Sequence, residues 1–117
     1  MSRSTRERLD DIVERTARIG VAERLLTSPD TGVAETAFDA VLYDLVVIGE
    51  AVKNLPDEVL ERHPDIPWSE IAKMRDVLAH IYFRVRSEVV KATIDEPLAA
   101  LKAACEAELA RLSRGDA

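Results

Sequence analysis

The chain is poor in aromatics, in the residues that build loops and in cysteine for covalent cross-links. It has 117 residues, and only five are aromatic: two Phe, two Tyr and one Trp. A core of ordinary size must therefore come from Leu, Val, Ile and Ala, and Ala and Leu are strong helix formers. Four Gly and five Pro leave little material for long loops. The single cysteine, Cys105, excludes an internal disulfide; set at helical spacing between Leu101 and Leu109, it reads as a buried core thiol of a protein kept in a reducing compartment. The longest apolar run, Val41–Val52, is broken by Tyr43, Asp44 and Glu50, so no bilayer span is expected. The N-terminal stretch is charged and lacks the apolar region of a secretory leader, and the expected location is the cytoplasm.

What is present is charge and apolar surface in helical rhythm. Charged residues make up 32% and apolar residues 47% of the chain, a balance that suits one folded domain over 1–117. The net charge of −6 argues against a broad basic face for gripping long nucleic acid. It leaves room for a small local site on RNA or for a basic protein partner.

Apolar positions recur every three, four or seven residues over Thr5–Leu26, with Thr16 and Ala17 bridging the one irregular step from Val13 to Ile19. Thr27 to Gly32 is a run of turn residues. A second helix is expected from Val33 to Asn54, with one stripe of Phe38, Val41, Leu45, Ile48 and Val52. Tyr43, Val47 and Glu50 form a second stripe on roughly the opposite side. A helix patterned on two sides is central or packs on a partner subunit as well, which points to a homodimer. Pro56 opens a short helix through Arg62, with Asp57 and Glu58 in its favoured acidic first turn. His63–Pro67 makes a stiff connector, in which His63 is given no role. A fourth helix follows from Trp68 to about Ile81. Ser87 and Glu88 suggest a fresh helix start, and a last helix reaches Leu112, with Pro97 kinking or splitting it. No segment alternates as a strand does. The expected class is all-α, an up-and-down bundle of about five helices.

The fourth helix carries a polar cluster, Arg75, Asp76, His80 and Tyr82. At about 100° per residue, Ile71, Met74, Val77, Leu78 and Ile81 share the core arc. Trp68, Arg75 and Tyr82 follow its edge, and Asp76 and His80 share the polar side, where Asp76 can orient the imidazole. Arg75 and His80 stand about 140° apart on an ideal helix. A common site then needs the length of Arg75 with local unwinding, or a second copy of the helix across a dimer axis. RNA cleavage without metal needs a base for the 2′-hydroxyl, an acid for the leaving oxygen and a fixed cation on the phosphorane. His suits the first two roles and Arg the third. Each residue taken alone has a plainer reading: Arg75 paired with an acid such as Glu50, His80 finishing a helix, Tyr82 at a core edge, Asp76 solvated.

The stretches IGEAVKNLP (Ile48–Pro56) and HPDIPWSEIAKMRDVLAHIY (His63–Tyr82), with Arg75, His80 and Tyr82 in the spacing R-x4-H-x-Y, resemble the HepT-like branch of the HEPN superfamily. The resemblance is clear from Val41 to Val90. It implies a dimeric HEPN-like bundle with the motifs of two subunits lining one cleft. It also implies a metal-independent endoribonuclease toxin of a type II or AMPylation-type toxin–antitoxin module, leaving a cyclic phosphate and requiring no cofactor. Arg75 and His80 fall on the family's catalytic positions and Asp76 on its supporting polar position. Tyr82 falls on the tyrosine to which a nucleotidyltransferase antitoxin of the MntA kind transfers AMP. The competing reading is a non-catalytic helical subunit of a minimal nucleotidyltransferase.

Overall fold

A computed structural model describes residues 3–81 and 96–115, without the side chains at 75, 77–81 and 96. Among the described residues there are five helices and no strand: α1 (Thr5–Glu23), α2 (Thr31–Lys53), α3 (Asp57–Arg62), α4 (Trp68–Ile81) and α5 (Glu96–Ser113). The expected start at Ser87 lies outside the described residues.

Local chemistry sets the helix ends. Ser4 and Glu7 form a reciprocal capping box: the Glu7 amide donates to Ser4 Oγ at 3.1 Å and the Ser4 amide donates to Glu7 Oε1 at 2.9 Å, satisfying two N–H groups that a bare helix start leaves open. α1 stops at Glu23, three residues short of the expected Leu26. The turn that follows is closed by backbone bonds from Leu25 to Ala22 and from Leu26 to Glu23. Leu26 still packs against the core, which is why apolar periodicity overran the helix. α2 begins earlier than the turn residues suggested. The Asp30 side chain accepts from the Val33 amide at 3.2 Å, so Thr31 and Gly32 belong to the first helical turn rather than to the loop. Pro67 directly precedes α4, and Pro97 is the second residue of α5. In a first turn Pro has no intrahelical N–H to lose, so α5 runs on past Pro97; the expected kink or split of a helix begun near Ser87 falls outside the described residues.

The long helices form an up-and-down bundle. α2 packs on α1 and on α4, and α1 packs on α5. Leu9, Ile12 and Ile19 of α1, Val41, Leu45, Ile48 and Val52 of α2, Trp68 and Ile71 of α4, and Leu98, Leu101 and Cys105 of α5 share one buried core. Each fully buried Leu or Ile contributes about 2 kcal/mol of transfer free energy. The Val13–Ile19 step is bridged by Thr16 alone. Thr16 is buried, with its hydroxyl donating to the Val13 carbonyl at 2.8 Å, whereas Ala17 is exposed. The two-sided patterning of α2 has a plain cause within one chain: α2 is central, flanked by α1 and α4. Tyr43 of its second stripe remains 59% exposed.

Candidate active site

The helix that carries the candidate residues is α4, and its setting is fixed at its first turn. The Trp68 amide bonds the Ile66 carbonyl at 2.9 Å and the Ile71 amide bonds that of Pro67 at 3.1 Å. Trp68 and Ile71 are both buried. The indole Nε1 of Trp68 donates to the His63 carbonyl at 2.9 Å. A bulky buried ring with a satisfied polar edge leaves α4 little freedom to rotate about its axis. Arg75, Asp76 and His80 all lie on α4. Asp76 is exposed, as its place on the polar side predicts. The side chains of Arg75 and His80, and Tyr82 altogether, lie outside the described residues, as do the expected Asp76–His80 bond and the Arg75–Glu50 pairing.

The connector before α4 is tied to α5 by an ion-pair knot. Glu108 of α5 is 4% exposed, and a buried carboxylate is costly unless it is paired and hydrogen-bonded. Arg62 supplies Nε at 3.1 Å from Oε2 and Nη2 at 2.6 Å from Oε1, a two-pronged fork. His63 Nε2 lies 2.7 Å from Oε2. The Arg62 hydrogen bond, above all, holds the Glu108 carboxyl below its ordinary range; burial opposes it and His63 adds to it. A carboxylate only accepts, so Nε2 of His63 carries the proton in this contact. His63 is therefore more than a connector residue: its ring grips α5 while its carbonyl receives the Trp68 indole. Nothing near it in sequence signals this, because its partner lies 45 positions away.

A second buried carboxylate, Asp44, sits in the seam between α1 and α2 at 1% exposure. Its Oδ1 receives Arg15 Nη1 at 2.9 Å and lies 3.5 Å from Arg18 Nε. Arg15 also lies over the Tyr43 ring, 5.3 Å from its centroid, within cation–π reach. The Asp44 hydrogen bond, first, raises the Arg15 guanidinium further above its already high value. In sequence, Asp44 looks only like an interruption of an apolar run.

Cys105 is fully buried, and burial pushes its thiol up to about 12. A thiol so protonated is neither nucleophile nor metal ligand at neutral pH. Among the described residues no group of three or more His, Cys, Asp or Glu is arranged to hold a metal ion, and no helix is long and apolar enough to cross a membrane.

Comparison with known proteins places these features in a family. A family model described as Ribonuclease HepT-like matches residues 6–108. A protein of Thermococcus cleftensis described as "Probable ribonuclease HepT" is 39% identical over 102 residues, covering 87% of this chain and 93% of that protein. A candidate RNase of Caldanaerobacter subterraneus is 53% identical over 55 residues, 47% of this chain and 49% of the relative. Another, of Methanocaldococcus jannaschii, is 47% identical over 51 residues, 44% of this chain and 42% of the relative. No solved structure matches the chain. The all-helical bundle, the placement of the R-x4-H motif on α4 and a family match over most of the chain agree: this protein belongs to the HepT-like ribonuclease family.

Proposed function

We propose that the protein is a metal-independent endoribonuclease, the toxin of a toxin–antitoxin pair, acting as a single-domain homodimer in the cytoplasm. The observation that carries this reading is the R-x4-H-x-Y spacing of Arg75, His80 and Tyr82 within a HepT-like chain, the first two on a helix held at its start by Trp68 and Ile71. Two copies of α4 facing each other across a dimer axis supply two His and two Arg. One His80 takes the proton of the 2′-hydroxyl. The 2′-oxygen attacks phosphorus, the bond to the 5′-oxygen breaks, and the other His80 protonates that leaving oxygen. The products are a 2′,3′-cyclic phosphate and a 5′-hydroxyl. Arg75 holds the phosphorane oxygens, where a planar guanidinium is worth more than a point charge. Asp76 orients the imidazole.

A nucleotidyltransferase antitoxin of the MntA kind would silence the site by transferring AMP from ATP to the Tyr82 hydroxyl oxygen, with pyrophosphate leaving, and so add phosphate charge and bulk where an RNA backbone must pass. With ATP and such a partner, the mass of the peptide containing Tyr82 rises by one AMP. Neutralisation with Tyr82 unmodified would mean inhibition by binding alone. The second reading, a non-catalytic subunit of that transferase, draws on the net charge of −6, which suits a basic protein partner as well as it suits a compact RNA site.

The deciding experiment is induced expression of the wild type and of His80→Ala, each without a partner gene, followed by RNA cleavage with the purified proteins. Removal of a general acid–base costs about 10²–10⁴-fold in rate. Growth arrest and cleavage by the wild type alone support the enzyme. Arrest by both proteins removes His80 from catalysis, and arrest by neither moves the transferase-subunit reading ahead.

A further inference from the structure

The cluster of Arg15, Arg18, Tyr43 and Asp44 is used by nothing in the mechanism above, yet it is built as a binding feature is built. Asp44 is 1% exposed while Tyr43 is 59% exposed; the Arg18 side chain is 55% exposed and that of Arg15 22%. The carboxylate is thus withdrawn from solvent with Arg15 half-buried beside it, while Arg18 and Tyr43 face outward. A guanidinium carries five N–H groups in a rigid fork, and Asp44 engages Nη1 of Arg15. Arg15 in turn lies over the Tyr43 ring, fixing an aromatic that is otherwise solvated.

Position along the bundle matters as well. α1, α2 and α4 run up, down and up. At about 1.5 Å per residue, Asp44 stands ~13 Å back from Lys53 at the end of α2. Arg75 and His80 stand ~10 and ~18 Å along α4 from Trp68. Taking the α2–α3–α4 turn as one end of the bundle, these lengths put Asp44 on α2 at a height like that of Arg75 on α4, on the α1 side of the central helix, which in the dimer proposed above would be the rim of the cleft.

We propose that Arg15, Arg18 and Tyr43 form a contact platform for single-stranded RNA at the rim of the cleft. A base stacks on the Tyr43 ring, and the two arginines take the adjoining phosphate. Stacking on an aromatic is tolerant of base identity and needs an unpaired strand. Glu14 is exposed beside Arg15 and acts on it electrostatically, so the patch is no general magnet for polyanions. Binding there depends on the ring and on the fork together. The proposal rests on the ribonuclease reading and adds a substrate contact that the R-x4-H-x-Y motif does not contain.

The test is fluorescence anisotropy of a labelled single-stranded RNA oligonucleotide with full-length His80→Ala protein, which binds without cutting. In that background Tyr43→Ala should weaken binding about ten-fold, within the range of one base–aromatic stack. Tyr43→Phe should restore it, since the ring and not the hydroxyl is used. Arg18→Ala should flatten the dependence of log K on log salt by ~0.7, the share of one phosphate contact on a single strand. Unchanged affinity in Tyr43→Ala and Arg18→Ala, with the background protein still binding RNA, overturns the platform and leaves the ribonuclease reading standing. A background protein that binds no RNA removes both. Loss of the dimer on light scattering in Tyr43→Ala also overturns the platform, and assigns the ring to a protein interface.

Discussion

The two buried carboxylates of this bundle solve the same problem in different ways. Glu108 and Asp44 are both almost inaccessible, and each is met by two basic side chains. Glu108 uses both oxygens: Arg62 forks across them and His63 shares Oε2. Its partners are the last residue of α3 and the first of the connector to α4, so the contact closes a long loop of chain. Asp44 directs Oδ1 alone at two arginines on neighbouring turns of one helix. A carboxylate engaged on both sides by groups distant in sequence works as a tie. One that holds the inner edge of outward-facing guanidiniums works as an orienting counter-ion. Two similar ion-pair counts thus describe a fastener in one place and a mounting in the other.

Substitutions should separate the two roles. The largest effect is expected for Glu108→Ala, which strands His63 and frees the connector before α4. Breaking a buried pair in this way costs about 3 kcal/mol, a fall in Tm on the order of 10 °C by thermal denaturation. Next comes Asp44→Ala, at about 2 kcal/mol, the worth of hydrogen bonds to charged groups. It is the milder of the two because Arg15 and Arg18 can turn to water. If it proves the more destabilising, the comparison is inverted and Asp44 is the tie.

Acid sharpens the contrast. The folded state holds Glu108 below the ordinary carboxylate range, chiefly through Arg62. Its contribution is therefore complete above that range and lost as pH falls through the lowered folded value. Urea midpoints measured from neutral pH downward should decline less steeply in Glu108→Gln than in the wild type; parallel declines would deny Glu108 this part in acid unfolding. The smallest effect is expected for Arg18→Ala. Arg18 is more than half exposed and Arg15 still pairs with Asp44 when it is gone, so its loss should cost under about 1 kcal/mol and the variant's Tm should stay within a few degrees of the wild type. A large loss would make Arg18 a structural residue and weaken its assignment to RNA.

The legible part of this molecule was whatever repeats locally. Leu9, Ile12 and Ile19, or Val41, Leu45, Ile48 and Val52, announce their helices because the 3.6-residue period that builds a helix also decides which face is buried. That Trp68, Arg75, Asp76 and His80 share one helix could be read for the same reason; whether their side chains form a cluster falls outside the described residues. What stayed hidden joins residues far apart in the chain. His63 finds Glu108 at a separation of 45 and Arg15 finds Asp44 at a separation of 29. No period links such pairs, and each member alone looks like an ordinary connector or surface residue. The helix limits failed more mildly. Leu26 contributes to the core from a turn, and Asp30 caps α2 strongly enough to draw Thr31 and Gly32 into it.

The sealed thiol of Cys105 carries a practical consequence. Its sulfur is fully buried on α5 and its acidity is suppressed to about 12, so an alkylating reagent reaches it only when the bundle opens. Alkylation kinetics of the unaltered chain thus become a built-in clock for global opening. A cysteine introduced at an exposed position, such as 17, would take a fluorophore or spin label selectively under native conditions, with the natural thiol left in place.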